Sequence, residues 1–359
     1  MMEKLNEKMN EVKATDNDDI SLLKIDFDKE IPHFEYEKIA INLKSPKNII
    51  LLSRNEKRFY DLYLKLLSND YMFYMHSKES SYFIKRKLLS TIWQRTDLIQ
   101  YGELFYSLEE IAAEKVNRLA PRRLVVIFSS MPAEKDYFSP NIGVRCFTKN
   151  FPSITKHLLK NTRVMRIMDA NLSHGSHYIN TPNYPNFEDD VQDAIKRVME
   201  TYEIDKEDVV FYGGSKGGTG ALYHSVLGDY KSVSVDPIIS LKEYNELNSD
   251  SHFLKKFREV SLEKTLIEMA NQEGMSNNKV IIGSPYVPFN YTLYSKLGSD
   301  NIKLLNLFDS NIKTHSEVSK NSVVEQVTEI NNLLLSSKNL KKMNEELYEI
   351  VVENFSNFS

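Results

Sequence analysis

Between residues 208 and 225 the chain passes from a short β-branched and aromatic segment through a cluster of glycines into helix-forming residues, with one serine at the apex. Val209, Val210, Phe211 and Tyr212 predict a buried strand. Gly213, Ser215 and Gly217 then spell G-x-S-x-G, the sharp strand-to-helix turn that lifts a nucleophilic serine above a sheet. Such a turn strains the serine backbone and brings strand and helix close together, so hydrogen is the side chain that fits beside it. The five glycines between 213 and 220 also suit a plain structural turn or a phosphate cradle, and Lys216 to Gly220 resembles the start of one. A phosphate loop continues with Gly-Lys-Ser/Thr, whereas Ala221 and Leu222 follow here. The elbow is the reading that accounts for all of the stretch.

The remaining composition narrows the function classes. The 359 residues suffice for two modest domains or one large one with an added module. Forty-six basic against 50 acidic side chains give a formal charge of -4, without the basic footprint of a nucleic-acid binder. Cys146 is the single cysteine, so no internal disulfide forms. The first residues carry acidic side chains where a signal peptide needs an apolar core, and no apolar run approaches the ~20 residues of a membrane span. The expectation is a cytoplasmic protein with no membrane span and no bound metal.

Along the chain, residues 1–22 are charged and polar and predict a flexible tail. Residues 23–120 read as a small N-terminal α/β module: a buried strand over 48–52, an amphipathic helix over 56–67, a strand over 71–75, extended structure over 98–106 and a helix over 108–119 that stops before Pro121. From 121 to 359 the order is strand-helix-strand. Residues 124–128 are a near-continuous apolar strand of the kind found where helices cover both sheet faces, 151–160 predict a helix and 163–168 a second strand. The fold class is α/β, an α/β-hydrolase fold with a mostly parallel sheet, C-terminal helices and the small module in front.

On that fold the loop after the 124–128 strand supplies an oxyanion-hole amide, so Ser130 or Met131 is a candidate donor, with the Lys216 amide as the second. The polar loop after the 163–168 strand sits where open α/β sheets bind ligands, making Asn171, His174, Ser176 and His177 candidate substrate contacts. His174 and His177 are three residues apart, but no carboxylate or cysteine pattern completes a metal site. Residues 241–273 are charged and helical and suit a lid. His315 follows the last predicted strand, 100 residues after Ser215, where this fold places its general base. The acid is less distinct: Asp236 at the end of the strand after the elbow is favoured, with Asp300, Asp309 and Asn290 as alternatives. His224 faces away on the elbow helix, and His33, His76, His157 and His252 belong to no constellation.

The runs at 166–171 and 175–181, the elbow with Lys216, and Thr314-His315-Ser316 resemble the XcbB/CpsF group of bacterial capsular polysaccharide biosynthesis proteins and the related α/β-hydrolase-type glycan O-acetyltransferases, including the accessory Sec-system type. The resemblance spans about residues 45–335 and places Ser215 and His315 on the family's nucleophile and base. It implies O-acetylation of a capsular or cell-surface glycan with acetyl-CoA as acyl donor, and capsule-biosynthesis or glycosyltransferase partners. Where those acetyltransferases carry an acid after the penultimate strand, this chain has residues 286–291, without a carboxylate. The alternatives are a carboxylesterase or deacetylase of the same fold, or a non-catalytic assembly partner in polysaccharide biosynthesis.

Overall fold

The computed structural model describes residues 21–340 except 94, 118, 249–251 and 298–299, together with 344, 345 and 348. The tail expected over 1–22 lies outside them but for its last two residues, and Leu22 already opens a strand.

Two sheets share the chain. The first is formed by β1 (Leu22–Asp26), β2 (Lys38–Asn42), β3 (Tyr71–Ser77) and β4 (Ser80–Lys85), in the order β1-β2-β4-β3. The second has eight strands: β5 (Ile99–Tyr101), β6 (Leu104–Glu109), β7 (Arg123–Phe128), β8 (Thr162–Ile167), β9 (Val209–Gly214), β10 (Lys231–Val235), β11 (Lys279–Gly283) and β12 (Ile302–Asn306). Their order is β5-β6-β8-β7-β9-β10-β11-β12, with β6 antiparallel to its neighbours and all pairs from β8 to β12 parallel. This is the α/β-hydrolase fold. The boundary expected at residue 120 therefore moves: β5 and β6 belong to the large sheet, which begins at Ile99, because β6 pairs with β8.

The central strands are apolar on both sides because both faces are covered. Leu124, Val126, Phe128, Val209 and Phe211 meet Val191, Ala194, Ile195 and Val198 of the helix Phe187–Tyr202 on one face. Val125, Ile127, Val210, Tyr212, Val233 and Val235 meet Ile330 and Leu334 of the helix Val323–Leu335 on the other. Burying alternate residues on opposite faces is what makes such a strand read as one continuous apolar run.

Three local expectations fail for physical reasons. Residues 49–53 form a short helix rather than a strand, because Asn48 caps it by accepting the Leu51 N–H. Residues 108 and 109 extend β6, and among the described residues of 110–119 only a 3-10 turn, Ala113–Lys115, forms. The helix expected over 151–160 is reduced to the turn Ile154–Lys156.

Candidate functional site

Ser215 directly follows β9 and heads the helix Lys216–Gly228 with φ 57° and ψ -121°, a conformation that costs a non-glycine residue energy. The turn is held by close approach. A Cβ on Gly213 would lie 2.1 Å from the Gly217 carbonyl oxygen, and one on Gly217 would lie 2.0 Å from the Phe128 carbonyl oxygen. Any side chain at either glycine would push the elbow apart.

The structure brings Ser215, His315 and Asp236 together. Ser215 Oγ lies 2.7 Å from His315 Nε2, and His315 Nδ1 lies 2.6 Å from Asp236 Oδ2. His315 opens the helix His315–Lys320, whose start is fixed by a capping box between Thr314 and Glu317. Asp236 sits just past β10 and is 1% exposed, so its charge acts in a low-dielectric setting. Its other oxygen accepts a hydrogen bond from Tyr294 Oη at 2.8 Å. A Cβ on Gly283 would meet that hydroxyl at 2.1 Å, so the glycine makes room for it. Burial, reinforced by Asp236, pushes the Tyr294 phenol far above its ordinary pKa and keeps it a donor. A carboxylate held in this way fixes the ring so that Nδ1–H donates to the acid and bare Nε2 faces the serine.

Of the alternative acids, Asp309 accepts from Asn311 on an exposed loop, and Asp300 is exposed. The Asn290 amide does reach His315, 3.2 Å from Nδ1. Since Nδ1–H is already donated to Asp236, this contact is favourable when the amide turns its carbonyl oxygen, otherwise unpartnered, to the ring.

The candidate oxyanion donors separate. Ser130 N–H is committed to Asn150 Oδ1 at 2.7 Å, which removes it as a donor and leaves Met131 of the two. Lys216 N–H lies in the first turn of its helix, where no helical carbonyl takes it up. The Lys216 side chain has a separate structural role that its place in the motif did not reveal. Fully buried, it donates to the His174 carbonyl at 2.8 Å and lies 3.4 Å from Asp169 Oδ2.

Asp169 gathers the loop that follows β8. It accepts from the backbone amides of Ser176, His177 and Tyr178. Two of the four substrate candidates there are consumed internally and are not available to a ligand. Asn171 donates to Thr181 Oγ1, Ser176 Oγ donates to the Ile179 carbonyl, and both side chains are fully buried. His174 donates Nε2–H to the Tyr137 carbonyl at 2.8 Å and stacks on the Tyr137 ring at 4.1 Å, while its Nδ1 has no partner among the described residues. Neither ring nitrogen of His177 has a partner among the described residues. Burial foremost holds both imidazoles neutral, far below the usual histidine pKa.

His252, expected to stand alone, joins this wall. Its Nδ1 lies 3.0 Å from Tyr137 Oη, and burial, with Arg54, Lys216 and His315 adding positive charge, lowers its pKa to about 3. Among the described residues no group of three or more His, Cys, Asp or Glu side chains is arranged to hold a metal ion.

The small N-terminal layer closes the same side. Tyr63 donates to Ser173 Oγ at 2.7 Å, Arg54 to Tyr137 Oη at 2.8 Å, and the Tyr63 and Phe253 rings meet edge-on at 4.9 Å. The segment expected to be a lid holds the helices Lys242–Asn248 and Glu263–Ala270. Between them Phe253, Leu254 and Phe257 are packed into the core of the N-terminal layer.

No protein-family model and no curated protein matches the chain. Among solved structures it resembles the capsule O-acetyltransferase of Neisseria meningitidis serogroup A at 13% identity and a TM-score of 0.43, covering 64% of this chain and 93% of that one. It also resembles a glycosylation-associated protein complex of Streptococcus agalactiae at 14% identity and a TM-score of 0.43, covering 67% of this chain and 47% of that one. A third likeness is the Staphylococcus aureus fluorophosphonate-binding serine hydrolase F, at 14% identity and a TM-score of 0.41, covering 66% and 96%. No helix among the described residues is long and apolar enough to cross a membrane.

Proposed function

We propose that the chain is a serine-dependent acyltransferase that O-acetylates a bacterial capsular or cell-surface glycan, with acetyl-CoA as the acyl donor. The observation that carries the reading is the continuous bond chain from Ser215 Oγ through His315 to Asp236, headed by a serine in a strained backbone conformation. In this mechanism His315 Nε2 takes the Ser215 proton while Oγ attacks the acetyl carbonyl. The amides of Lys216 and Met131 stabilise the oxyanion, and collapse expels the thiol with the proton returned by His315. A sugar hydroxyl then gives its proton to His315 and attacks the acetyl-serine, and collapse releases the sugar acetyl ester as His315 returns the proton to Ser215 Oγ.

The choice of a glycan acceptor, and of capsule or glycosyltransferase partners, rests on the motif resemblance. A carboxylesterase acting by the same steps with water as acceptor is the second reading. It is favoured by the partial exposure of His315, whose side chain is 28% accessible. The acid at Asp236 speaks against a purely non-catalytic assembly role, since that role needs no charge buried behind the histidine.

The test is hydrolysis of a chromogenic acetyl ester by the purified protein, with and without acceptor glycan. Turnover lost in Ser215→Ala by at least ~10⁴-fold supports serine-dependent acyl transfer. Acceleration by glycan, with acetyl recovered on sugar, selects the transferase. A folded protein with no turnover, or a Ser215→Ala variant as active as the parent, removes the enzyme reading.

A further inference from the structure

The other buried arginines among the described residues have at least one terminal nitrogen bonded, Arg123 included, whose Nη1 donates to the Lys160 carbonyl while its Nε is unpartnered. Arg145 donates to the carbonyls of Ser173, Ser139 and Phe73. Arg166 pairs with Glu109 and donates to the Asn150 and Phe151 carbonyls. Arg86 pairs with Asp70 and Glu103. Arg258 breaks the pattern. It is 9% exposed, only its Nε–H is bonded, to the Glu259 carbonyl, and both terminal guanidinium nitrogens are shielded from solvent without a partner among the described residues. An unpaired buried charge is among the most costly features a fold can retain. Burial depresses even this guanidinium, to about 10, which leaves it charged at neutral pH.

A second side chain points the same way. His177 is fully buried with both ring nitrogens unpartnered, and its backbone (φ 64°), like that of Tyr178 after it (φ 64°), lies in the left-handed region. Two consecutive non-glycine residues in that region are held against their preference. The restraint is visible: His177 N–H and Tyr178 N–H both bond Asp169 Oδ2, the oxygen that faces Lys216 Nζ. His177 is thereby held on the loop that Lys216, the residue after Ser215, fastens through Asp169 and the His174 carbonyl. The segment that carries Arg258 packs on the same loop, the Phe253 ring lying 6.2 Å from that of His174 and Phe257 sharing a core with Leu172. The carboxylates of Asp169 and Glu259 act on Arg258 through space, but neither bonds its terminal nitrogens, and the Asp169 oxygens are taken by three backbone amides. Among the described residues the wall thus keeps donors that no acceptor of its own meets.

We infer that Arg258 and His177 form an anion subsite beside Ser215, which takes a carboxylate or phosphate group carried by the acyl substrate or its acceptor. The planar guanidinium presents two terminal nitrogens to one oxyanion, and the imidazole supplies one N–H from the opposite partner. The assignment deepens the acyltransfer reading and rests on it for the identity of the substrate, though not for the binding of the anion.

The test has two arms. In the first, kcat/KM is measured for phenyl acetate, 4-acetoxybenzoate and 4-acetoxyphenyl phosphate. The expected result is a preference of about tenfold or more for one or both anionic esters over the neutral one, collapsing toward unity in Arg258→Gln. Which anion is preferred distinguishes carboxylate from phosphate. In the second arm the Ser215→Ala protein is titrated calorimetrically with sodium benzoate and with sodium phosphate. Saturable binding of either anion that weakens in Ser215→Ala/His177→Gln supports the subsite even if no ester is turned over, so failure of the acyltransfer reading is told apart from failure of this one. Equal use of charged and neutral esters, or no saturable binding of either anion by the Ser215→Ala protein, overturns it without requiring that any Arg258 variant fold.

Discussion

The Ser215 bond chain and the wall around His177 meet at Lys216, yet they treat polar groups in opposite ways. In the first, Ser215 Oγ, both His315 nitrogens and both Asp236 oxygens are engaged. In the second, His177, His174 Nδ1 and the ends of Arg258 are buried with no partner among the described residues. A satisfied network holds its own geometry without help from a ligand. An unsatisfied one is a cost to the fold, and such costs persist where something outside the chain completes them.

The sharpest way to break the satisfied side is Asp236→Asn. It should lower kcat by about 10³–10⁴-fold, because the amide holds the imidazole in the wrong tautomer. Asn290→Ala should cost less than about tenfold in the same assay, since Asn290 only supplements the acid. Equal losses would move the orienting role from Asp236 to Asn290.

The junction comes next. Lys216→Met leaves Asp169 buried without its ammonium partner and should destabilise the protein by about 3–5 kcal/mol in urea unfolding. Adding Asp169→Asn should recover part of that loss, a coupling that a double-mutant cycle reads directly. A loss under about 1 kcal/mol in the single variant would show that the pair does not hold the loop.

The smallest effect concerns a buried histidine outside both regions. His224 lies 2.8 Å by its Nε2 from the Tyr178 carbonyl, and burial lowers its pKa from 6.5 to about 4. Between those values the unfolded chain binds a proton that the folded chain refuses, so stability falls as pH drops from 6.5 toward 4. The slope is about 1.4 kcal/mol per unit and the total up to ~3 kcal/mol. His174 and His177 are shifted the same way, so His224→Gln should remove only a share of the slope. An unchanged pH dependence of the urea midpoint in that variant would exclude His224 as a contributor.

The fold was legible because its strongest signals are local. The elbow glycines announce a steric requirement in sequence, and the two-faced burial of β7 and β9 leaves continuous apolar runs. Ser215 could be placed because it directly follows β9, and His315 because it closes the loop that follows β12. Asp236 could be favoured over the alternatives but not separated from them, since what distinguishes it is contact with His315 across the sheet. Asn171 and Ser176 looked like ligands because polar loop residues do, and only the turn they stabilise shows otherwise. Arg258 left no trace, being one charge within a charged segment whose burial depends on Phe253 and Phe257 docking into the N-terminal layer.

The proposed nucleophile and its histidine hang from parts of the sheet with unequal neighbours. β9, which presents Ser215, is flanked by β7 and β10, whereas β12, which leads to His315, is the outermost strand among the described residues and pairs there with β11 alone. Outer strands open at lower free energy than interior ones. Gentle heating would therefore silence this protein by fraying one margin while the interior stays zipped. Recovery on cooling would ask only that one ribbon re-anneal.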